Sequence, residues 1–208
     1  REHTRQEIRN RIQDFLELTY RMQPYTLFYN GPKCGASAPD HAHFQAGTRG
    51  AMPMDNEIDT YTNPENCIIS ESNGSLYKLT GYLRNGFIIK AKNSNTAITL
   101  FDRVYQALEI PEDEYEPRIN LFCTYQKGEW ILTLIPRRLH RPWQYFAEGE
   151  DLFLSSPGGA DIGGLFITTR KEDFDKTTKD LLQDIYTQVC LNDKDIEELT
   201  IKIAAKDI

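Results

Sequence analysis

Hydrophobic residues recur at the spacing of an α-helix in the first part of the chain. Over residues 5–22 they form one apolar stripe, which consists of Ile8, Ile12, Phe15, Leu16 and Tyr20. The helix is expected to end at Gln23, because a residue that precedes proline is driven out of the helical region. Residues 25–30 (YTLFYN) then predict a short buried strand, and residues 41–47 (HAHFQAG) predict a second one.

The rest of the chain predicts hairpins and amphipathic helices. Residues 47–66 are rich in Gly, Pro, Asn and Asp and predict a long loop. Two strands follow within residues 75–93, joined around Gly81 with a bulge or turn at Asn85–Gly86, and then a helix over residues 95–110 that is stopped by Pro111. The remaining elements are a hairpin within residues 118–137 that turns at Lys127–Gly128, a strand over residues 163–170, and a helical tail from Lys171 that is split near Asn192–Asp193. Adjacent hairpins indicate an antiparallel sheet with packed helices, which is an α+β fold.

Composition narrows the class of protein. Of the 208 residues, 26% are charged and 11% aromatic, which is typical of a globular protein, and the net charge of −7 argues against a general affinity for nucleic acid. No apolar run approaches the roughly 20 residues that span a bilayer, so no membrane partner is expected. The four cysteines include no CxxC pair, which favours free thiols in a reducing compartment and hence a cytoplasmic location.

Residues 31–47, GPKCGASAPDHAHFQAG, hold two of the four histidines. If the second half is a strand, its period of two places His41, His43 and Gln45 on one face. The preceding residues 35–39 are small, so their backbone N–H groups can converge on an anion without interference from side chains. The pattern therefore predicts a phosphate held beside an imidazole.

An imidazole titrates near neutrality, and its neutral form has a lone pair on one ring nitrogen, so it can attack phosphorus and form a phosphoramidate. That chemistry requires the other ring nitrogen to be protonated and held by an acceptor. Two alternatives stay open for the histidine pair. The imidazoles could be buried and bonded to the backbone, or they could be metal ligands completed by Asp40 or a distant cysteine.

The segment GASAPDHAHFQAG resembles the active-site segment of the histidine triad (HIT) superfamily in its HxHxQ form. That form marks the nucleotidyltransferase and phosphorylase branch, which includes galactose-1-phosphate uridylyltransferase, diadenosine tetraphosphate phosphorylase and the GDP-hexose phosphorylases. The spacing DHAHFQA is most similar to the last group, whereas the uridylyltransferases have no counterpart of Asp40 between proline and the first histidine. Residues 130–142 resemble a strand of the second repeat in the phosphorylases, and the chain is also similar to an uncharacterised HIT-like group.

The resemblance implies roles for particular residues. His43 matches the nucleophile that takes up the nucleotidyl group, and His41 matches a histidine that helps to order the site. Gln45 replaces the third histidine of the hydrolytic branch, and its amide can donate to a phosphate oxygen but cannot act as an acid. The residues that match the phosphate-contacting loop and the polar end of the preceding strand are Gly35, Ala36, Ser37 and Asn30.

A second cluster of candidate phosphate ligands follows the hairpin of residues 118–137. It consists of Arg137, Arg138, His140 and Arg141. Guanidinium groups suit phosphate, and Trp143 and Tyr145 could stack on a base or sugar. The alternative is a solvated turn whose aromatic side chains are tucked into the core.

The combined expectation is a nucleotidyltransferase or phosphorylase that acts on a nucleoside polyphosphate or NDP-sugar through a nucleotidyl-histidine. The expected acceptor is phosphate or a sugar phosphate, and no cofactor or metal is expected. The alternatives are a HIT-type hydrolase and a non-catalytic nucleotide-binding protein. The resemblance divides the chain into residues 1–66, the end of a first HIT-like repeat, and residues 67–208, a second repeat with a helical tail. Because the first repeat lacks its other strands, the remainder of a longer chain or a partner subunit is expected to cover an open sheet edge.

Overall fold

A computed structural model describes residues 3–205, and its centre is one seven-stranded antiparallel sheet with the strand order β2-β1-β6-β7-β5-β4-β3. The strands are β1 (Tyr25–Asn30), β2 (Gln45–Thr48), β3 (Cys67–Glu71), β4 (Gly74–Leu79), β5 (Gly86–Ala91), β6 (Ile119–Gln126) and β7 (Glu129–Pro136). The helices are α1 (Ile12–Arg21), α2 (Met54–Glu57), α3 (Ser94–Ala107), α4 (Gly159–Ile162), α5 (Lys171–Lys176), α6 (Lys179–Val189) and α7 (Asp193–Ala204). The predicted α+β class with helices packed on an antiparallel sheet is confirmed.

The two faces of the sheet carry separate apolar clusters. On one face the sheet packs against α1, α3 and α7, and on the other against α2, α4 and α6. Strand β6 shows how the period of two divides its side chains: Leu121 and Cys123 belong to the first cluster, and Phe122 belongs to the second. Both faces of the central strands are therefore buried, which explains why they are almost continuously apolar.

The central hairpin forms as its sequence predicts. Strands β6 and β7 pair from Ile119 opposite Pro136 to Gln126 opposite Glu129. Lys127 and Gly128 connect them, and both have positive φ angles, of 52° and 83°. A two-residue turn with positive φ at both positions matches the right-handed twist of the flanking strands.

The predicted first helix begins later than its apolar stripe indicated. A short 3-10 turn over Arg9–Arg11 leads into α1, and the residues before it are irregular. The backbone N–H groups of Gln6 and Ile8 are bonded instead to the carbonyl oxygen of Pro39 and to the carboxylate of Glu116. Long-range hydrogen bonds therefore anchor residues that the apolar stripe placed in the first turns of the helix.

Two predicted strands need correction. Residues 41–47 are not all strand, because β2 begins at Gln45 and leaves the two histidines in front of it. Residues 163–170 form no strand, since the N–H groups of Leu165 and Ile167 donate to the carbonyl of Ala160 and the carboxylate of Asp161. By contrast, the tail is helical and its split at Asn192 is confirmed, because the Asn192 side chain accepts a hydrogen bond from the N–H of Asp195 and caps α7.

Strands from both halves of the chain share the same sheet. Strand β1 pairs with β2 on one side and with β6 on the other, so the segment with the histidines is joined directly to the later hairpins. None of the helices within residues 3–205 is long and apolar enough to cross a membrane. The four cysteine thiols, Cys34, Cys67, Cys123 and Cys190, are free.

Candidate functional site

His43 lies two residues before β2, and hydrogen bonds fix both its backbone and its ring. Its N–H donates to Oε1 of Gln6 at 2.8 Å, and its carbonyl oxygen accepts from Nε2 of the same side chain at 3.0 Å. Its Nδ1 lies 2.7 Å from the carbonyl oxygen of His41. The ring is half-buried and borders an open pocket of about 420 Å³ beside α1.

The contact between the two histidines determines the tautomer of His43. A carbonyl oxygen can only accept, so Nδ1 of His43 carries the hydrogen and donates it to His41. In the neutral ring the lone pair is therefore on Nε2, which is the nitrogen available to attack an electrophile. His41 contributes its backbone carbonyl to this arrangement, and its own imidazole is exposed.

A buried network of amides connects the two candidate clusters. The side chain of Asn30, at the end of β1, donates to Oε1 of Gln45 at 2.9 Å and accepts from Nδ2 of Asn120 at 2.8 Å. Asn120 in turn accepts from Nη1 of Arg137 at 2.8 Å. Since Asn30, Asn120 and Arg137 are each at most 5% exposed, these bonds are shielded from competing water. Gln45 itself is exposed, at the open end of the network.

The small-residue loop packs against a second glycine-rich segment. Gly35 has a φ of +89°, and a Cβ there would lie 2.3 Å from Cα of Gly158, so only glycine fits. Ala36 is half-buried and Ser37 is exposed. Gly158 also lies against the amide of Asn30, so the loop, the end of β1 and residues 156–159 come together at one place.

The four residues of the basic turn have different surroundings. Arg137 is buried, and each of its guanidinium nitrogens already donates, to Asn120 and to the carbonyl oxygens of Pro157, Val189, Leu139 and His140. Arg138 points to α7, where it forms an ion pair with Asp195. These two arginines are therefore engaged with the protein itself.

His140 and Arg141 lie together beside Ser156. Nε of Arg141 donates to the hydroxyl of Ser156 at 3.0 Å, and Nε2 of His140 lies 3.3 Å from the same oxygen. Burial, followed by the positive charges of Arg141 and Lys33, lowers the pKa of His140 to about 4, so that the ring is neutral at pH 7. Lys33, which the sequence pattern did not single out, therefore joins His140 and Arg141 in one basic cluster near the glycine loop.

The aromatic residues of the turn are partly solvated. Trp143 is 54% exposed, and Tyr145 lies beneath the guanidinium of Arg141, whose Cζ is 4.0 Å from the ring centroid. The stack on Tyr145 restricts Arg141 without removing its charge. Within residues 3–205 no group of three or more His, Cys, Asp or Glu side chains could hold a metal ion.

Besides Lys33, three parts of the site were not expected from the sequence. Gln6 and Asn120 act through partners 37 and 90 residues away, so local patterns carry no signal for them. The third part, Gly158–Gly159, follows a proline in the stretch SSPGGAD, and that composition could have marked a close backbone approach.

Comparison with solved structures identifies the fold. The chain is similar to a DUF4931 family protein from Bacillus cereus ATCC 10987, with a TM-score of 0.51 and 17% identity over 95% of this chain and 78% of that one. It is also similar to the yeast Ap4A phosphorylase Apa2, with a TM-score of 0.53 and 15% identity over 91% of this chain. The match covers 65% of the yeast enzyme, so the chain spans less than two thirds of that protein.

Family comparisons divide the chain between residues 48 and 59. Residues 59–206 match the family described as GDPGP1-like, C-terminal domain, and residues 1–48 match a domain of unknown function, DUF4922. Because the first match covers more than half of the residues, the chain belongs to the GDPGP1-like C-terminal domain family. No curated protein matches the chain. The family match and the shared fold support a relationship with the HIT-like, uridylyltransferase-related superfamily.

Proposed function

We propose that this chain carries the site of a nucleotide phosphorylase or nucleotidyltransferase of the HxHxQ type, with His43 as the nucleophile. One observation carries the proposal: Nδ1 of His43 is held by the carbonyl oxygen of His41 at 2.7 Å, which leaves the lone pair on Nε2. This is the tautomer that a covalent nucleotidyl-histidine requires. The name of the yeast relative, an Ap4A phosphorylase, and that of the GDPGP1-like family support the same class of reaction.

The reaction consists of two displacements at one phosphorus. In the first, Nε2 of His43 forms a bond to the α-phosphorus of a nucleoside polyphosphate or NDP-sugar, and the bond from phosphorus to the leaving phosphate oxygen breaks, with that oxygen keeping the electron pair. In the second, an oxygen of inorganic phosphate or a sugar phosphate attacks the same phosphorus and the P–N bond breaks. The imidazole is regenerated.

Gln45 is proposed to hold the transferred phosphoryl group. Its Oε1 already accepts from Asn30, so its Nε2 is the end of the amide that can donate to a phosphate oxygen. Unlike an imidazole, an amide neither releases nor takes up a proton near neutral pH, so this position can neither protonate a leaving group as an acid nor deprotonate a water molecule as a base. Phosphate and sugar phosphate, which are already ionised, are therefore the acceptors that this residue favours over water.

The basic cluster of Lys33, His140 and Arg141 is proposed to bind the leaving or accepting phosphate. Arg141 and Lys33 supply positive charge, and neutral His140 supplies a hydrogen-bonding ring. The loop of Gly35, Ala36 and Ser37 is proposed to bind the same phosphate together with Asn30, since Gly35 and Asn30 both lie against Gly158, two residues after Ser156. Arg137 and Arg138 support the turn through the bonds described above.

A partner for β2 is also part of the proposal. Strand β2 lies at the edge of the sheet, and within the described residues it pairs with β1 alone. Such an edge presents unpaired N–H and C=O groups. We propose that a further polypeptide segment, in a longer chain or in a partner subunit, covers this edge when the enzyme works, and that the divisions 1–66 and 67–208 correspond to two HIT-like repeats. A cytoplasmic location, in keeping with the free thiols, belongs to the same proposal.

The test is the formation of the covalent intermediate. The chain is incubated with a set of nucleoside polyphosphates and NDP-sugars labelled at the α-phosphorus, and protein-bound label that is acid-labile and base-stable is measured. His43→Asn should abolish the label, and Gln13→Asn, which changes an exposed side chain on α1, serves as the control. Binding without label would favour a nucleotide-binding protein, and turnover that no acceptor except water supports would favour a hydrolase.

A further inference from the structure

Gln6 lies in the irregular segment before α1, and its side chain is bonded to the backbone of the candidate nucleophile. The residue is 1% exposed. Its Oε1 accepts from the N–H of His43 at 2.8 Å, and its Nε2 donates to the carbonyl oxygen of His43 at 3.0 Å. The same Nε2 donates to the carbonyl oxygen of Asn30, also at 3.0 Å. One amide therefore serves three backbone groups at once.

These bonds replace the ladder of a β-sheet. The registered pairs between β1 and β2 start at Gln45, so His43 lies beyond them. A residue in a neighbouring strand would offer one acceptor and one donor to the backbone of His43. The side chain of Gln6 offers the same pair to a residue that lies outside the regular sheet.

The same amide relates His43 to Gln45. Gln6 binds the main-chain carbonyl of Asn30, and the side chain of Asn30 binds the amide oxygen of Gln45 at 2.9 Å. Both the proposed nucleophile and the proposed phosphate-holding amide are therefore positioned by hydrogen bonds that lead to Asn30, at the end of β1. Loss of the Gln6 amide would release one of the two while leaving the other in place.

Gln6 is itself fixed on both sides. Its N–H donates to the carbonyl oxygen of Pro39 at 2.9 Å, and the carbonyl oxygen of Thr4 accepts from the N–H of Ala42 at 2.6 Å. Two residues further on, the N–H of Ile8 donates to the carboxylate of Glu116 at 2.9 Å. Residues 4–8 therefore form a strap across the histidine segment, and Gln6 is its central contact.

We infer that Gln6 is a positioning residue for nucleotidyl transfer, which holds the His43 backbone so that Nδ1 stays on the His41 carbonyl and Nε2 stays directed at the substrate. The inference rests on the proposed function. No atom of Gln6 needs to touch the substrate, because its effect passes through the backbone of residues 41–43. A displacement of about 1 Å at a reacting atom can lower a rate about 100-fold, so the expected effect on the chemical step is large.

The experiment compares Gln6→Leu and Gln6→Glu with the parent chain. Leucine removes all three bonds, whereas glutamate keeps an acceptor for the His43 N–H and loses the donor to the two carbonyl oxygens. Gln13→Leu is the matched control, because Gln13 is exposed on α1. Each variant is studied well below its own melting temperature, and its circular dichroism is required to match that of the parent.

Two measurements separate positioning from stability. Adduct formation at saturating nucleotide should fall about 100-fold in both Gln6 variants, with a nearly unchanged Kd, and should be unchanged in Gln13→Leu. Long-range ¹⁵N NMR of the imidazole, without nucleotide, should show the Nδ1–H tautomer of His43 in the parent and a mixture of tautomers in the Gln6 variants. Folded variants that retain either the parent tautomer or the parent rate would overturn the inference.

The NMR measurement also keeps this inference distinct from the proposed function. If the parent chain forms no adduct with any nucleotide, the proposed chemistry fails, and the tautomer comparison still tests whether Gln6 holds His43. If the parent forms the adduct and Gln6→Glu does so at the same rate, the nucleophile stands and the role of Gln6 is wrong.

Discussion

Asn120 and Arg137 form a buried hydrogen bond of 2.8 Å between Oδ1 of the amide and Nη1 of the guanidinium. The two residues lie on adjacent strands of the sheet, at and just beyond the ends of β6 and β7. Nδ2 of Asn120 donates to Oδ1 of Asn30, and it also donates to the carbonyl oxygen of Cys34 in the small-residue loop at 2.9 Å. The basic turn and the histidine segment therefore share one rigid support.

Replacing Asn120 by Ala should destabilise the protein strongly. The change removes the bond from Nη1 of the buried Arg137 guanidinium to Asn120 and the bonds from Asn120 to Asn30 and Cys34, and the loss of buried hydrogen bonds of this kind costs about 1–3 kcal/mol in the free energy of unfolding. Urea denaturation at pH 7 measures the effect, with Asn56→Ala on the exposed surface of α2 as control. Equal midpoints for the two variants would show that the network contributes little to stability.

Replacing His41 by Ala should weaken nucleotidyl transfer without abolishing it. The contact to His43 comes from the backbone carbonyl of residue 41, which alanine retains, and the imidazole of His41 is exposed. His43→Ala should remove the adduct altogether while the melting temperature changes little. Both effects are read from the same labelling assay, and a His41 variant as inactive as the His43 variant would require a direct role for the first imidazole.

Replacing Arg141 by Gln should raise the KM for the phosphate-bearing substrate. The loss of a charge-assisted hydrogen bond corresponds to about 1.5–3 kcal/mol, or roughly 10- to 150-fold in KM. Arg138→Gln is the control, since the Arg138 guanidinium is paired with Asp195 on α7. The melting temperature of the Arg141 variant should barely move. A large fall in that temperature with unchanged kinetics would instead assign the turn a structural role.

Glu116 should make stability depend on pH. Burial raises the pKa of this carboxyl to about 7 from its ordinary value of 4.5, although Tyr29 and the N–H of Ile8 donate to it. The folded state therefore holds the proton more tightly than the unfolded chain. The resulting stabilisation is fully present below about pH 4.5 and is lost as the pH rises through about 7, with an upper limit of about 3 kcal/mol.

Glu116→Gln tests this dependence, because glutamine keeps the shape of the residue and removes the titration. Unfolding free energies at pH 5 and pH 7.5 should differ less in this variant than in the parent, and Glu112→Gln at an exposed position should retain the parent difference. An identical pH slope in all three proteins would mean that Glu116 stays ionised across this range.

The parts of the fold that depend on local physics could be predicted from the sequence. The Lys127–Gly128 turn and the split at Asn192 follow from turn and capping chemistry, and α3 follows from its apolar spacing. The failures lie where hydrogen bonds outside a regular helix or strand override that pattern. Residues 163–170 alternate like a strand, yet Leu165 and Ile167 are 49% and 56% exposed, and their N–H groups are bonded within the turn around α4.

The candidate site shows the same division. The segment with His43 and Gln45 could be picked out from the sequence because its motif is local. Strand alternation does not explain how the two side chains are placed relative to each other, since β2 starts at Gln45. The role of Gln6 could not be predicted, because the residue lies in a segment whose apolar stripe predicted a helix. Arg137 was predicted as a phosphate ligand from its place in a basic turn, and nothing in the sequence indicated its bonds to Asn120 and to backbone carbonyls.

The pairing of β1 with β6 sets a limit on how this protein can be dissected. The segment that matches DUF4922 includes β1, and the segment that matches the GDPGP1-like family includes β6, whose partners on the other strand run from Leu27 to Asn30. If residues 59–206 were produced alone, β6 would lose its pairing with β1, and the edge of a strand that is apolar on both faces would be exposed. Asn120 would also lose its hydrogen bond to Asn30. Although they match separate families, the two segments contribute strands to one sheet, so any shortened version intended for study has to retain both.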